Sequence, residues 1–155
     1  MIAGMIIQPG QAALRIGRTS EPGRIYLVTT CTWNRAPLFR NHRAARAACR
    51  TIHSERSWRD ASCIAWVLMP DHWHGLIHLR ESELSKVVEA MKSRVTKALR
   101  AEGRVSPVWQ RAFHDRAIRE DDDVKAAARY VIANPVRAGL VARVGDYPYW
   151  NTVWI

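Results

Sequence analysis

Apolar positions along the chain alternate between two periods. RIYLVTTCTW, residues 24–33, is dense in β-branched and aromatic side chains and predicts a strand. After a loop over 34–41, Asn41 is placed to cap an Ala- and Arg-rich helix from His42 to about Trp58. Ala45, Ala48, Cys49 and Ile52 form its narrow apolar stripe. CIAWVLM, residues 63–69, predicts a buried strand. Pro70-Asp71 predicts a tight turn, and HWHGLIHL, residues 72–79, the returning strand of a hairpin. Leu84, Val87, Val88, Met91, Val95 and Leu99 then follow the helical period, predicting a helix from about Glu81 to Ala101. Lys92, Lys97, Arg100 and Arg104 decorate its other faces and its exit. VWQRAFHDRAIR, residues 108–119, predicts one more strand. Asp121, Asp122 and Asp123 put negative charge where a helix N-terminus favours it. That last helix is expected to run to about Asn134, where Pro135 ends it.

Strand, helix, strand, strand, helix, strand is the order of the ferredoxin-like sandwich. The fold class is therefore α+β: an antiparallel four-stranded sheet (βαββαβ) with two helices on one face, and an added C-terminal helix carrying Tyr130. The 155 residues suit one domain, expected over 23–155. Residues 1–22, closed by Glu21-Pro22-Gly23, read as a leader. This leader has no basic start, and QPGQ breaks its apolar run, so it is a poor signal peptide. No stretch approaches the roughly 18 apolar residues of a membrane span. Cys31, Cys49 and Cys63 are odd in number and lack a CxxC pair. A disulfide framework and a cysteine-based zinc site are both unsupported, and a reduced cytoplasmic setting is the default.

Charge narrows the partners. Lys+Arg number 24 against 14 Asp+Glu, a formal charge of +10. Such a balance favours polyanions, nucleic acid foremost, over a merely soluble basic protein. Most of the cations are arginines, which grip phosphate in bidentate fashion. Arg43, Arg46 and Arg50 fall on one helix face, either a solvated face or a phosphate track.

The candidate chemistry sits in MPDHWHGLIHL, residues 69–79. In a strand, His72 and His74 share a face and Trp73 projects to the other. Two imidazoles so held make a chelating pair for a divalent metal, or else only hydrogen bond near a hairpin mouth. Asp71 is placed to orient one ring from outside the ligand shell. His78 has the same parity but lies further along, where packing or a hydrogen bond suits it better. Tyr130 and Asn134 are four apart on the last helix and share a face. Val124, Ala127, Ala128 and Val131 form the inward stripe, which leaves Tyr130 at its edge. The Asn134 amide oxygen is a reasonable hard-metal ligand. The bland alternatives are a helix-edge tyrosine and a helix stop before proline. A tyrosine near a metal in a basic protein points to attack of a phenolate on a phosphodiester, giving a phosphotyrosine that can be rejoined without ATP.

MPDHWH, WQRAFHDR, RYVIANPVRAGLV and DYPYW together resemble the REP-associated tyrosine transposases, a similarity that covers roughly residues 22–151. These belong to the single-tyrosine HUH endonuclease superfamily, of the IS200-like type. The resemblance implies that His72 and His74 bind Mg²⁺ or Mn²⁺, that Asn134 completes the site, and that Tyr130 is the nucleophile. It further implies cleavage of single-stranded DNA at repeat hairpins, with the tyrosine joined to the 5′ end of the cut strand. Two departures stand out: Asp71 occupies a position that is often Asn, and Trp73 is bulkier than the usual middle residue. Arg46, Arg50, Arg116 and Arg137 are the expected DNA contacts. A domesticated hairpin-binding protein with weak or no catalysis is the alternative. An RNA-binding ferredoxin-like domain fits less well, because RIYLVTTCTW lacks that family's aromatic signature. The expected partner is single-stranded DNA with hairpin repeats, in the bacterial cytoplasm, with no membrane and a monomer favoured over a homodimer.

Overall fold

Three long apolar strands pair first in the architecture. β1 (Ile25–Cys31), β2 (Ala61–Met69) and β3 (His72–Leu79) form its centre, with β3 between the other two. The computed structural model describes residues 20–119 and 122–154, so most of the predicted leader lies outside the described residues. β4 (His114–Ala117) flanks β1 and β5 (Trp150–Thr152) flanks β2, giving the antiparallel order β4-β1-β3-β2-β5. Strands β4-β1-β3-β2 are the predicted ferredoxin-like sheet. β5 adds a fifth strand that the sequence did not announce, being three residues long beside Pro148.

Side-chain alternation splits the core in two. Val28, Trp66, Leu68, Trp73 and Ile77 face α1 (His42–His53) and α2 (Leu84–Ala101). The other face carries Ala65, Val67, Met69 and Leu76, covered by Ala128 and Val131 of α3 (Val124–Ile132) and by Tyr147. Trp73 is fully buried, and its indole lies over Gly75, two residues on along the same face. A Cβ at position 75 would fall inside that ring, which explains the glycine between His74 and Leu76.

Several boundaries differ from expectation, each with a local cause. α1 ends at His53 rather than near Trp58. The Ser57 hydroxyl donates to the Thr51 carbonyl (2.7 Å) and the Trp58 indole N–H to the Ile52 carbonyl (2.7 Å), satisfying the last turn. α2 begins at Leu84, whose N–H donates to Ser20 Oγ (2.9 Å). The predicted strand 108–119 is interrupted. Gln110 N–H donates to the Cys31 carbonyl, then the chain leaves the sheet and rejoins it only at His114. Lys92 causes the detour. It is buried, not on the surface as its pattern suggested, and its ammonium donates to the Gln110 (2.7 Å) and Arg111 (3.1 Å) carbonyls.

The last helix is also corrected. α3 stops at Ile132, so Asn134 is not its final residue. Asn134 instead opens α4 (Asn134–Arg137), and Pro135 sits in that helix's first turn. A missing N–H is harmless there, since first-turn N–H groups have no intrahelical partner. Among the described residues no helix is long and apolar enough to cross a membrane.

Candidate active site

The histidine pair is fixed by strand register. His72 lies opposite Cys31 and His74 opposite Thr29, both on the face covered by α3. The His74 Nδ1 is 2.7 Å from Thr29 Oγ1, its cross-strand neighbour. His72 Nδ1–H donates to Asp71 Oδ1 (2.6 Å), and Asp71 Oδ2 accepts from Arg35 Nη2 (3.1 Å). The two rings meet edge to face with centroids 4.6 Å apart. With each Nδ1 engaged, each Nε2 is the nitrogen left to hold a metal.

Electrostatics keep both rings neutral. Burial lowers the His72 pKa; Asp71 opposes the shift and Arg35 adds to it. Burial also drives His74 down to about 3, helped by the neighbouring His72, Arg137 and Arg35. Neutral imidazole is the form that ligates a cation. This donor chemistry fits Mg²⁺ or Mn²⁺ only with further oxygen ligands, since among the described residues no three His, Cys, Asp or Glu gather. The Asn134 amide oxygen has the chemistry of such a ligand. It is half-buried and makes no hydrogen bond among the described residues.

Sequence reasoning missed Arg35 and Thr29. Arg35 sits in a loop far from the histidines in sequence and carries no periodic signal. Asn34 and Arg35 both take left-handed backbone, φ 53° and 54°, rare for non-glycine residues. Thr32 holds that loop to the β2–β3 turn: its N–H (2.9 Å) and hydroxyl (3.0 Å) both donate to the Asp71 carbonyl. The strained turn thus delivers Arg35 to the Asp71 carboxylate.

Tyr130 lies on α3, which packs across β2 and β3 on the histidine face. The Arg137 guanidinium is stacked 3.8 Å above its ring and donates to the Tyr130 carbonyl (2.8 Å). The same arginine is one of the charges lowering the His74 pKa. Arg137 therefore contacts Tyr130 directly and reaches the histidines only through its charge. Tyr130 is 40% exposed, whereas each of the other three tyrosines has its hydroxyl committed. Tyr26 Oη accepts from Glu21 N–H, Tyr147 donates to the Leu68 carbonyl from a buried position, and Tyr149 meets His42 Nδ1.

The remaining predicted residues divide. Arg116 aligns with Leu27 and so faces the histidine side, exposed and 3.6 Å from Asp122. Arg46 and Arg50 lie on the outer face of α1, across the sheet from the histidines, and are not brought to the site. His78 shares the histidine face but binds the Gly23 carbonyl (3.1 Å), away from the pair.

The family model described as "Transposase IS200 like" matches residues 23–134. The chain belongs to the IS200-like transposases. A Haemophilus influenzae protein named as a REP-associated tyrosine transposase is 33% identical over 98 residues, 56% of each chain. An Escherichia coli K12 REP-associated tyrosine transposase is 32% identical over 87 residues, 55% of this chain and 50% of that one. The chain spans about half the length of these curated relatives. A solved REP-associated tyrosine transposase bound to a REP hairpin superposes with a TM-score of 0.67 at 26% identity. That match covers 86% of this transposase and 79% of that chain.

Proposed function

We propose that this IS200-like transposase is a metal-dependent nickase and strand transferase for single-stranded DNA, with Tyr130 as nucleophile. The observation that carries this reading is the shared face: α3, which carries an exposed tyrosine held against Arg137, covers the sheet face on which the two neutral histidines of β3 lie. The solved relative's REP hairpin supports a hairpin repeat as the substrate. Residues 23–155 would act as one catalytic domain, as a monomer.

In the proposed reaction the Tyr130 Oη attacks the scissile phosphorus. The O–P bond to the 3′-side oxygen breaks, and a 5′-phosphotyrosine forms. The phenolic proton is lost to solvent or a nearby base, and the leaving 3′-oxygen takes up a proton to become a hydroxyl. Attack by a 3′-hydroxyl reverses these bonds and releases Tyr130, so no ATP is needed. His72, His74 and Asn134 would hold Mg²⁺ or Mn²⁺. Bound there, the cation would polarise a non-bridging oxygen and favour departure of the 3′-oxygen. Asp71 and Thr29 fix the two ring orientations, and Arg137 holds the Tyr130 ring in place.

The test separates binding from chemistry. His72→Ala and His74→Ala should each abolish cleavage of a hairpin substrate while hairpin affinity stays largely intact. Asn134→Ala should be milder, because water can replace a neutral ligand. Undiminished cleavage by the His72→Ala/His74→Ala double variant in the presence of a chelator would make the pair structural.

A further inference from the structure

Trp109, Gln110 and Arg111, which open the WQRAFHDR segment, have no part in the proposed chemistry, yet they wall a cavity of about 400 Å³ against α2. Such a volume is in the range of ligand sites. Lys97 and Arg100, three apart on α2, line one side, and Arg111 lines the other. Among the described residues none of these three cations forms an ion pair, whereas Arg24, Arg35, Arg43, Arg116, Arg129 and Arg143 each pair with a carboxylate. Glu89 is the single carboxylate of the lining. Trp109 also lines it, 8% exposed, and its indole Nε1 is buried with no hydrogen-bond partner among the described residues. Trp109 thus gives the cavity an aromatic floor anchored in the core, where it packs against Phe39. Lys92 stabilises the wall itself by holding the Gln110 and Arg111 carbonyls.

The position of the cavity connects it to the histidines. Gln110 N–H donates to the Cys31 carbonyl (2.9 Å) and Trp33 N–H to the Val108 carbonyl (2.9 Å). Cys31 is the register partner of His72. The cavity lies on the α2 layer, across the sheet from the histidines, and its wall is built onto the end of β1 that pairs with His72. Trp33, joined to that wall through Val108, is 46% exposed, an aromatic face on which a base can stack. The geometry points to this cavity, bounded by Lys97, Arg100, Arg111 and Trp109, as a second DNA site. It takes a phosphodiester of the substrate's single strand away from the scissile one. The inference rests on the DNA-cleaving reading and names where the uncut strand continues. A pit of this size takes a splayed strand and not a duplex, and the three cations supply the sequence-independent grip.

The experiment uses the full chain carrying Tyr130→Phe, so that no probe is cut. Affinity is measured for a DNA hairpin with a single-stranded tail and for the same hairpin without one. In the Lys97→Gln/Arg100→Gln/Arg111→Gln variant, the tailed probe should bind about tenfold more weakly. Its log-affinity against log-salt slope should flatten by about 0.7 for each phosphate no longer neutralised. The tail-less probe should be unaffected. Unchanged affinity for the tailed probe, or an equal loss on both probes, would overturn the assignment. The three side chains are exposed, so an unaltered thermal midpoint is expected and serves as the folding control. Failure of the catalytic reading would register differently: the wild-type chain would form no covalent adduct while tail-dependent binding persisted.

Discussion

His74 is half-buried, and its desolvated imidazole has a consequence for pH. Its folded pKa of about 3 lies below the ordinary 6.5, with burial as the main cause. As pH falls, the unfolded chain therefore binds the proton first. The stabilisation from neutral His74 is complete above about pH 6.5 and erodes between there and about 3. His72 shifts in the same direction. Urea midpoints should drop between about pH 8 and about pH 5, and His74→Gln should flatten the drop. A wild-type profile level across that range would contradict the buried neutral ring. Asp71 offers a second residue-scale check. Asp71→Ala removes the acceptor for His72 Nδ1–H and should weaken Mn²⁺ binding roughly 10- to 100-fold, read by titration of the apo chain. Asp71→Asn keeps an oxygen acceptor and should lose much less. Equal losses in the two variants would show that the negative charge, not ring orientation, matters. The histidines, the tyrosine and Asp71 were legible because strand and helix periods place them. Arg35 and Thr29 were not, since a loop with two left-handed residues and a cross-strand register leave no periodic trace.

Elements were legible where their patterns were long. β2, β3 and α2 run close to the bounds that alternation and the helical period predict. Misjudged ends follow from side chains reaching the backbone. Ser57 and Trp58 close α1 early, and buried Lys92 bends the chain between Val108 and β4. α3 ends before Asn134 because Pro135 starts a new turn more readily than it ends an old one. β5 is too short for any pattern to reveal. Packing at this scale predicts that Gly75→Ala is destabilising, since the added methyl must displace the Trp73 indole from a filled core. Overpacking of this kind costs about 1–3 kcal/mol. A chemical-denaturation difference near zero would mean that the indole shifts freely. The helix cap is a milder case. Asn41 Oδ1 accepts from Ala44 N–H (3.0 Å), and Asn41→Ala should cost about 1 kcal/mol.

For the whole molecule, the +10 charge and the two-faced sheet act together. One face is closed by α1 and α2, while the other carries the histidines under α3. The charge total was plain in the sequence. Its distribution was not, because the layer to which each arginine belongs depends on topology. Arg46 and Arg50 lie across the sheet from the proposed chemistry, and Arg116 and Arg137 beside it. Hairpin affinity should fall with a log–log salt slope of about 0.7 to 0.9 per neutralised phosphate. A flat response would remove DNA from the account. The central claim is that Tyr130 is the nucleophile, and one measurement reaches it directly. The wild-type chain, Mg²⁺ or Mn²⁺ and a single-stranded repeat hairpin should give a protein–DNA species that survives a denaturing gel. Peptide mapping should find the DNA on Tyr130 through a 5′-phosphate. Tyr130→Phe should bind the hairpin normally and give no such species. An adduct that persists in Tyr130→Phe, or cleavage leaving a 5′-hydroxyl with no adduct, would contradict the account.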